Sequence, residues 1–111
     1  MKKKLIRDKV PEIVRQNGDE LITEVIKNDQ DFQKNLKNKL LEEAQEVASA
    51  TSRTDLLEEL ADLQEVVNAL CDLNNIDSSD LAQKQKSKRE KAGGFKKKLM
   101  LIGKNGQLFS E

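Results

Sequence analysis

The sequence contains no histidine, tryptophan or tyrosine, and it has only one cysteine and one proline in 111 residues. The absence of histidine excludes the Ser-His and Cys-His nucleophile systems and the usual zinc ligands. The single cysteine, Cys71, excludes an internal disulfide framework and a cysteine-cluster metal site. Its place in the apolar run VVNALCDL favours a packed core thiol. These absences rule out the most familiar nucleophilic and zinc-based active sites.

Long apolar runs are also missing. No segment approaches the length of a membrane span, and the N-terminal stretch MKKKLIRDKVPE has no apolar core of signal length, which predicts a cytoplasmic protein with no membrane partner. Apolar residues make up 36% and aromatic residues 3% of the chain, so a large self-contained core is not expected. We expect one small domain over residues 1–111 that oligomerises.

Charged residues are abundant and segregated. The 20 basic and 20 acidic residues cancel, and a zero net charge argues against a general nucleic-acid partner. The balance conceals an acid-rich segment over residues 42–65 and a base-rich segment over residues 84–98. The acidic segment has Arg53 as its one basic residue, and the basic segment has Glu90 as its one acidic residue.

The hydrophobic periodicity predicts mainly helices. Leu36, Leu40 and Val47 recur at helical spacing, and Leu56 and Leu60 begin a second such stripe. The segment TSRT between them predicts a short turn between antiparallel helices, with Ser52 or Thr54 as the cap. The predicted elements are a helical turn over 11–16, a strand over 21–26, helices over about Asp31–Ala50, about Asp55–Leu73 and from Asp77 or Ser78 to about Lys91, a helix stop at Gly93 and Gly94, and a strand over 97–102 that could pair with the first strand.

Two acidic residues lie where leucine would be expected. At about 100° per residue, Glu43 falls inside the apolar arc of the first long helix and Glu46 at its edge. Glu59 falls inside the arc of the second long helix, and Asp62 lies at its rim. Each pair has i,i+3 spacing and therefore shares one helix face. Antiparallel packing can bring the two pairs together.

Four carboxylates at close range cannot all stay ionised without a cation. A hard divalent ion with oxygen ligands fits such a site, and Mg²⁺ is the natural candidate, held by Glu43, Glu46, Glu59 and Asp62. Carboxylate-bound Mg²⁺ together with a basic segment suggests phosphate chemistry, because lysine and arginine can hold the remaining phosphate charge. The alternative is a solvated acidic helix face without a ligand.

The acidic residues also resemble a family signature. EEAQE at 42–46 followed by ELAD at 59–62 matches the EExxE…ExxD pattern of the all-α nucleoside triphosphate pyrophosphohydrolases. These include MazG-like proteins, phosphoribosyl-ATP pyrophosphohydrolase and the dimeric dUTPases. KLIRDKVPE at 4–12 and KREKAGGF at 88–95 resemble the ends of a short single-domain MazG-like subgroup with a house-cleaning role.

This resemblance implies an all-α helical bundle completed as a homodimer or homotetramer, and the two strands predicted from the residues would be short terminal additions to it. It implies Mg²⁺-dependent cleavage of a nucleoside triphosphate to the monophosphate and pyrophosphate. Glu46 and Glu43 would be the catalytic residues, and Glu43, Glu46, Glu59 and Asp62 the metal ligands. The phosphates would be bound by Lys88, Arg89, Arg7 and Lys9.

Three other functions stay open at this point. Phosphoribosyl-ATP hydrolysis in histidine biosynthesis would use the same metal motif. A non-catalytic helical interaction module would use the acidic stripe to bind a partner. A nucleic-acid binder would use residues 84–98, although the acid-rich helices oppose it. Phe95 could stack on a base or serve as a core anchor.

Overall fold

The computed structural model describes residues 3–110. Over these residues the fold is all-α with one small β-hairpin, as predicted. The chain divides into two compact units whose boundary lies between Ser78 and Ser79, and the prediction of one domain over 1–111 stays a prediction. The elements are α1 (Val10–Gln16), α2 (Asp29–Ser49), α3 (Arg53–Leu73), α4 (Ser78–Ala92), β1 (Gly103–Lys104) and β2 (Gln107–Leu108).

Helices α2 and α3 form an antiparallel hairpin and make up most of the first unit. Each begins at a side-chain cap. The Asn28 side chain accepts a hydrogen bond from the backbone N–H of Asp31 at 2.8 Å, and Ser52 accepts one from Asp55 at 3.1 Å. Such caps satisfy N–H groups that the first helical turn leaves unpaired. The cap at Asn28 explains why α2 begins two residues before the predicted start.

The core between these helices is small. Among residues 3–110, the buried hydrophobic side chains are Leu36 on α2 and Val66 on α3. The predicted leucine stripe of α3 is only partly used, because Leu56 is 39% and Leu60 45% exposed. Val66 lies roughly 120° around the helix from Leu60. The face of α3 that packs on α2 is therefore rotated away from the leucines and toward the acidic residues.

The segment before α2 contains one short helix. Pro11 lies in the first turn of α1, where its missing N–H is not needed. The strand predicted over 21–26 is wrong: this segment is irregular, with Ile22 fully and Val25 85% exposed. Its β-branched residues favour an extended backbone, but a strand needs a hydrogen-bonded neighbour, and residues 3–110 supply none for this segment.

The second unit contains α4 and the hairpin. Gly93 adopts a φ of +84°, which fits its predicted role as a helix stop. The strand predicted over 97–102 is wrong, since Lys98 has a φ of +57° that breaks an extended run. The strands instead flank Asn105 and Gly106, both at positive φ as a tight hairpin turn requires, and they pair with each other rather than with the N-terminal region. None of the helices over the described residues is long and apolar enough to cross a membrane.

Candidate metal and substrate site

Three carboxylates of the acidic motif meet between α2 and α3. One oxygen from each of Glu43, Glu59 and Asp62 lies within 4.8 Å of the other two. The Glu43 side chain is only 12% exposed, whereas that of Asp62 is 44% exposed. The cluster arises because Glu43 and the Glu59–Asp62 pair occupy the faces through which the two helices pack. Three converging carboxylate oxygens form the donor set that a hard divalent cation prefers.

Electrostatics at Glu59 show how crowded the negative charge is. Partial desolvation raises the pKa of its carboxyl above the ordinary value, and the carboxylates of Glu46, Asp62, Glu43 and Glu58 raise it further. Each neighbouring negative charge disfavours ionisation of Glu59. A bound divalent cation would reverse this effect by favouring the ionised form. The residues of the cluster therefore fit a divalent metal ion.

Glu46 is placed differently from the other three predicted ligands. It does not belong to the group of three converging oxygens, although it is close enough to act on the pKa of Glu59. Together with Glu59, it lines a small depression at the end of α2 and the start of α3. The structure thus brings together three of the four predicted metal ligands and places Glu46 beside them.

Two cations already contact the cluster. The Arg7 guanidinium donates a hydrogen bond to Asp62 Oδ1 at 2.8 Å, joining the N-terminal segment to α3. Lys39 Nζ lies 3.4 Å from a carboxylate oxygen of Glu43 and at the same distance from one of Glu42. Sequence reasoning missed Lys39, although its i,i+4 spacing to Glu43 is the spacing of helical ion pairs. The cluster is therefore a mixed-charge site rather than a purely acidic one.

The other predicted phosphate-binding residues lie in different places. Lys9 lies next to α1 in the first unit and lines a groove with Arg7. Lys88 and Arg89 lie on α4, in the second unit. Their assignment to the phosphates stays a prediction.

The groove beside the cluster has a volume of about 550 Å³, within the usual range for ligand sites. Its walls are α2, α3 and the segment Leu5–Lys9. Glu43 and Asp62 belong both to the groove and to the cluster. The periodicity did not reveal this groove, because its third wall is an irregular segment without a helical or strand pattern.

Comparison with known proteins identifies the family of the chain. A family model described as phosphoribosyl-ATP pyrophosphohydrolase matches residues 3–89, which is most of the chain and includes the whole acidic cluster. The chain belongs to the phosphoribosyl-ATP pyrophosphohydrolase family. This family is part of the MazG-like superfamily, so the resemblance seen in the acidic motifs is confirmed. No curated protein and no solved structure matches the chain significantly.

Membership of the phosphoribosyl-ATP pyrophosphohydrolase family indicates that the chain has pyrophosphohydrolase activity and is therefore a hydrolase. MazG-like pyrophosphohydrolases are generally Mg²⁺-dependent, and the converging carboxylates of this chain could hold such an ion. The family assignment argues against a non-catalytic interaction module.

Proposed function

We propose that this member of the phosphoribosyl-ATP pyrophosphohydrolase family hydrolyses a nucleoside triphosphate to the monophosphate and pyrophosphate, with Mg²⁺ and in a house-cleaning role. A water molecule supplies the new oxygen of the monophosphate and loses a proton. The bond between the α-phosphorus and the α–β bridging oxygen breaks, and pyrophosphate leaves. The single observation that carries the proposal is the convergence of Glu43, Glu59 and Asp62 within 4.8 Å, in a chain of this family.

The proposed metal ligands are Glu43, Glu59 and Asp62, and Glu46, the fourth ligand predicted from the sequence, lies beside them. When bound there, Mg²⁺ would supply polarisation of a phosphoryl oxygen and a water of lowered pKa. The carboxylates fix the position of that charge, because the packing of α2 on α3 brings them together. Glu43 is the most enclosed of the ion-paired ligands, so its orientation is the most restricted.

Glu46 is the proposed base that takes the proton from the attacking water. Its position beside the three converging oxygens, but outside them, leaves its carboxylate free to accept that proton. The cationic groups neutralise the phosphates, since lysine and arginine form charge-assisted hydrogen bonds with phosphate oxygens. Arg7, Lys9 and Lys39 of the first unit are the groups proposed for this role, and the assignment of Lys88 and Arg89 on α4 stays a prediction.

The test is pyrophosphate release from a panel of ordinary and modified nucleoside triphosphates, with Mg²⁺ and with chelator. We expect metal-dependent release by the native chain and a loss of about 100-fold or more in Glu59→Gln, because a ligand disappears while the side-chain volume stays. Glu58→Gln is the matched control: it makes the same chemical change one residue away, on an exposed position outside the cluster. Full Mg²⁺-dependent activity in Glu59→Gln would refute the site.

Phosphoribosyl-ATP hydrolysis is the second candidate, favoured by the description of the matching family. Both reactions cleave an α–β phosphoanhydride and use the same carboxylates. Phosphoribosyl-ATP therefore belongs in the substrate panel. A kcat/KM for it that exceeds every nucleoside triphosphate would replace the house-cleaning role with this one.

We further propose that the enzyme works as a homodimer or homotetramer. The support is the exposed apolar surface: Leu57 on α3 is 60% exposed and Leu41 on α2 is 70% exposed, in addition to Leu56 and Leu60. Several large apolar side chains left exposed on two helices are consistent with an interface that a second copy covers. Light scattering should give a mass of two or four chains, and Leu60→Glu should lower it. A single-chain mass for the native protein would refute this proposal.

A further inference from the structure

The groove beside the acidic cluster changes character along its length. On α2 its wall is formed by Phe32, Leu36, Lys39 and Glu43, which share one helix face. Phe32 and Glu43 are 11 positions apart, or about 16 Å along the helix. The α2 wall is therefore apolar and aromatic toward one end, and charged toward the end that contains the cluster.

The facing walls follow this gradient in part, and Asp72 adds one carboxylate to the α3 wall toward the Phe32 end. Because α3 runs antiparallel to α2, its Asp62 lies toward Glu43, whereas Val66 and Ala69 follow toward Phe32. The N-terminal segment adds the half-buried Leu5 and Ile6. A ligand with a polyanionic part and a flat apolar part matches such a surface, and a nucleoside triphosphate has this shape.

We propose that the groove binds the nucleoside half of the substrate, with the base against Phe32 and the phosphates toward Glu43 and Asp62. This inference rests on the proposed function, and it adds a base-stacking residue and a direction in which the substrate lies. The supporting observations are the continuity of the groove with the cluster, through Glu43 and Asp62, and the placement of Lys39 and Arg7 at the phosphate end.

Phe32 is distinguished from the two other phenylalanines of the chain by its surroundings. It is half-buried and lines the groove, so one part of its ring is held by the helix packing while another part faces the cavity. Phe95 is 97% exposed and Phe109 54% exposed, and both lie in the second unit. A ring that is already ordered loses less entropy when a base stacks on it.

The experiment measures the two ends of the groove separately. The nucleotide probe is 2-aminopurine riboside α,β-methylene triphosphate, whose methylene bridge resists α–β cleavage and whose fluorescence falls when the base stacks. The chain has no tryptophan or tyrosine, so protein fluorescence does not interfere. The phosphate probe is inorganic tripolyphosphate, titrated by calorimetry. Both titrations use the full chain with Mg²⁺.

We expect Phe32→Ala to weaken binding of the nucleotide probe by about tenfold, because base–aromatic stacking is lost. Its affinity for tripolyphosphate should stay unchanged. Phe32→Leu keeps an apolar side chain that fills the site, so it should preserve the fold and part of the affinity but lose the fluorescence quenching. Phe95→Ala is the matched control and should behave like the native chain.

Several results would overturn the inference. Unchanged quenching in Phe32→Leu would show that the base lies elsewhere, and lost quenching in Phe95→Ala would move it to the second unit. A parallel loss of tripolyphosphate affinity in both Phe32 variants would show a structural role only. If the Phe32 variants differ from the native chain in the mass of the assembly but bind the nucleotide probe equally well, a second copy of the chain fills the groove. If the native chain neither binds the probes nor releases pyrophosphate, the proposed function itself fails.

Discussion

Arg7 offers a prediction in which metal affinity and activity move in opposite directions. Its guanidinium donates to Asp62 Oδ1 at 2.8 Å, and Asp62 is one of the three proposed metal ligands. In the metal-free protein, Arg7 thus competes for a carboxylate that the metal needs. With substrate present, the same guanidinium is proposed to bind phosphate. Arg7→Gln should therefore tighten metal binding and impair turnover.

The exposure of the pair sets the size of the first effect. The side chains of Arg7 and Asp62 are 56% and 44% exposed, so solvent screens their attraction. Exposed ion pairs contribute up to about 1 kcal/mol, which corresponds to a factor of about 5 in an equilibrium constant. We expect the Kd for the metal to fall by up to about fivefold in Arg7→Gln.

The assay is a calorimetric titration of the substrate-free protein with Mg²⁺, followed by pyrophosphate release at saturating Mg²⁺. Arg15→Gln is the matched control, because Arg15 forms a comparably exposed ion pair with Glu20, which lies outside the three-carboxylate cluster. The control should change neither quantity. Weaker metal binding in Arg7→Gln would refute the competition, and unchanged kcat/KM would refute the phosphate contact.

Two further predictions concern stability. Because the pKa of Glu59 is raised, its carboxyl group binds a proton more tightly in the folded, metal-free protein than in the unfolded chain. The resulting stabilisation of the fold is present below the ordinary pKa of 4.5. It is lost as pH rises through the raised value. We expect Glu59→Gln to flatten that part of the profile of Tm against pH, measured with chelator, and an identical profile would contradict the charge crowding. Leu36 is 2% exposed, so Leu36→Ala should lower the free energy of unfolding by about 2–5 kcal/mol in a denaturant titration, and a loss below about 1 kcal/mol would contradict its packing.

The helices and the acidic motif could be predicted from the sequence because both depend on local patterns. Asn28 escaped notice as a cap, but Ser52 was one of two predicted caps, and it does bond to Asp55. The i,i+3 spacing of Glu59 and Asp62 placed them on one face before any tertiary structure was known. A short loop then suffices to place an antiparallel helix against this face, and the carboxylates of the two helices together form the cluster.

The other features of the fold and of the site depend on contacts between segments that are distant in the sequence, and no local pattern reveals such contacts. The 21–26 segment has the residues of a strand, but the described part of the chain gives it no neighbouring strand to pair with. The groove exists because residues 5–9 lie against α2 and α3, and that position follows from tertiary packing and from the bond between Arg7 and Asp62. The hydrophobic periodicity also predicted a single apolar face on α3. In the structure, part of that stripe packs against α2 and part is exposed.

That division of α3 connects the proposed assembly with the proposed chemistry. One face carries Glu59, Asp62 and the buried Val66 toward α2, and the other carries Leu56 and Leu60 toward solvent in the single chain. The core within one chain is too small to hold α3 rigidly by itself, since so few side chains are buried there. A second copy that covers the leucines would restrain the same helix that presents two of the metal ligands. Metal affinity should then depend on assembly, even though neither leucine is one of the three clustered carboxylate residues.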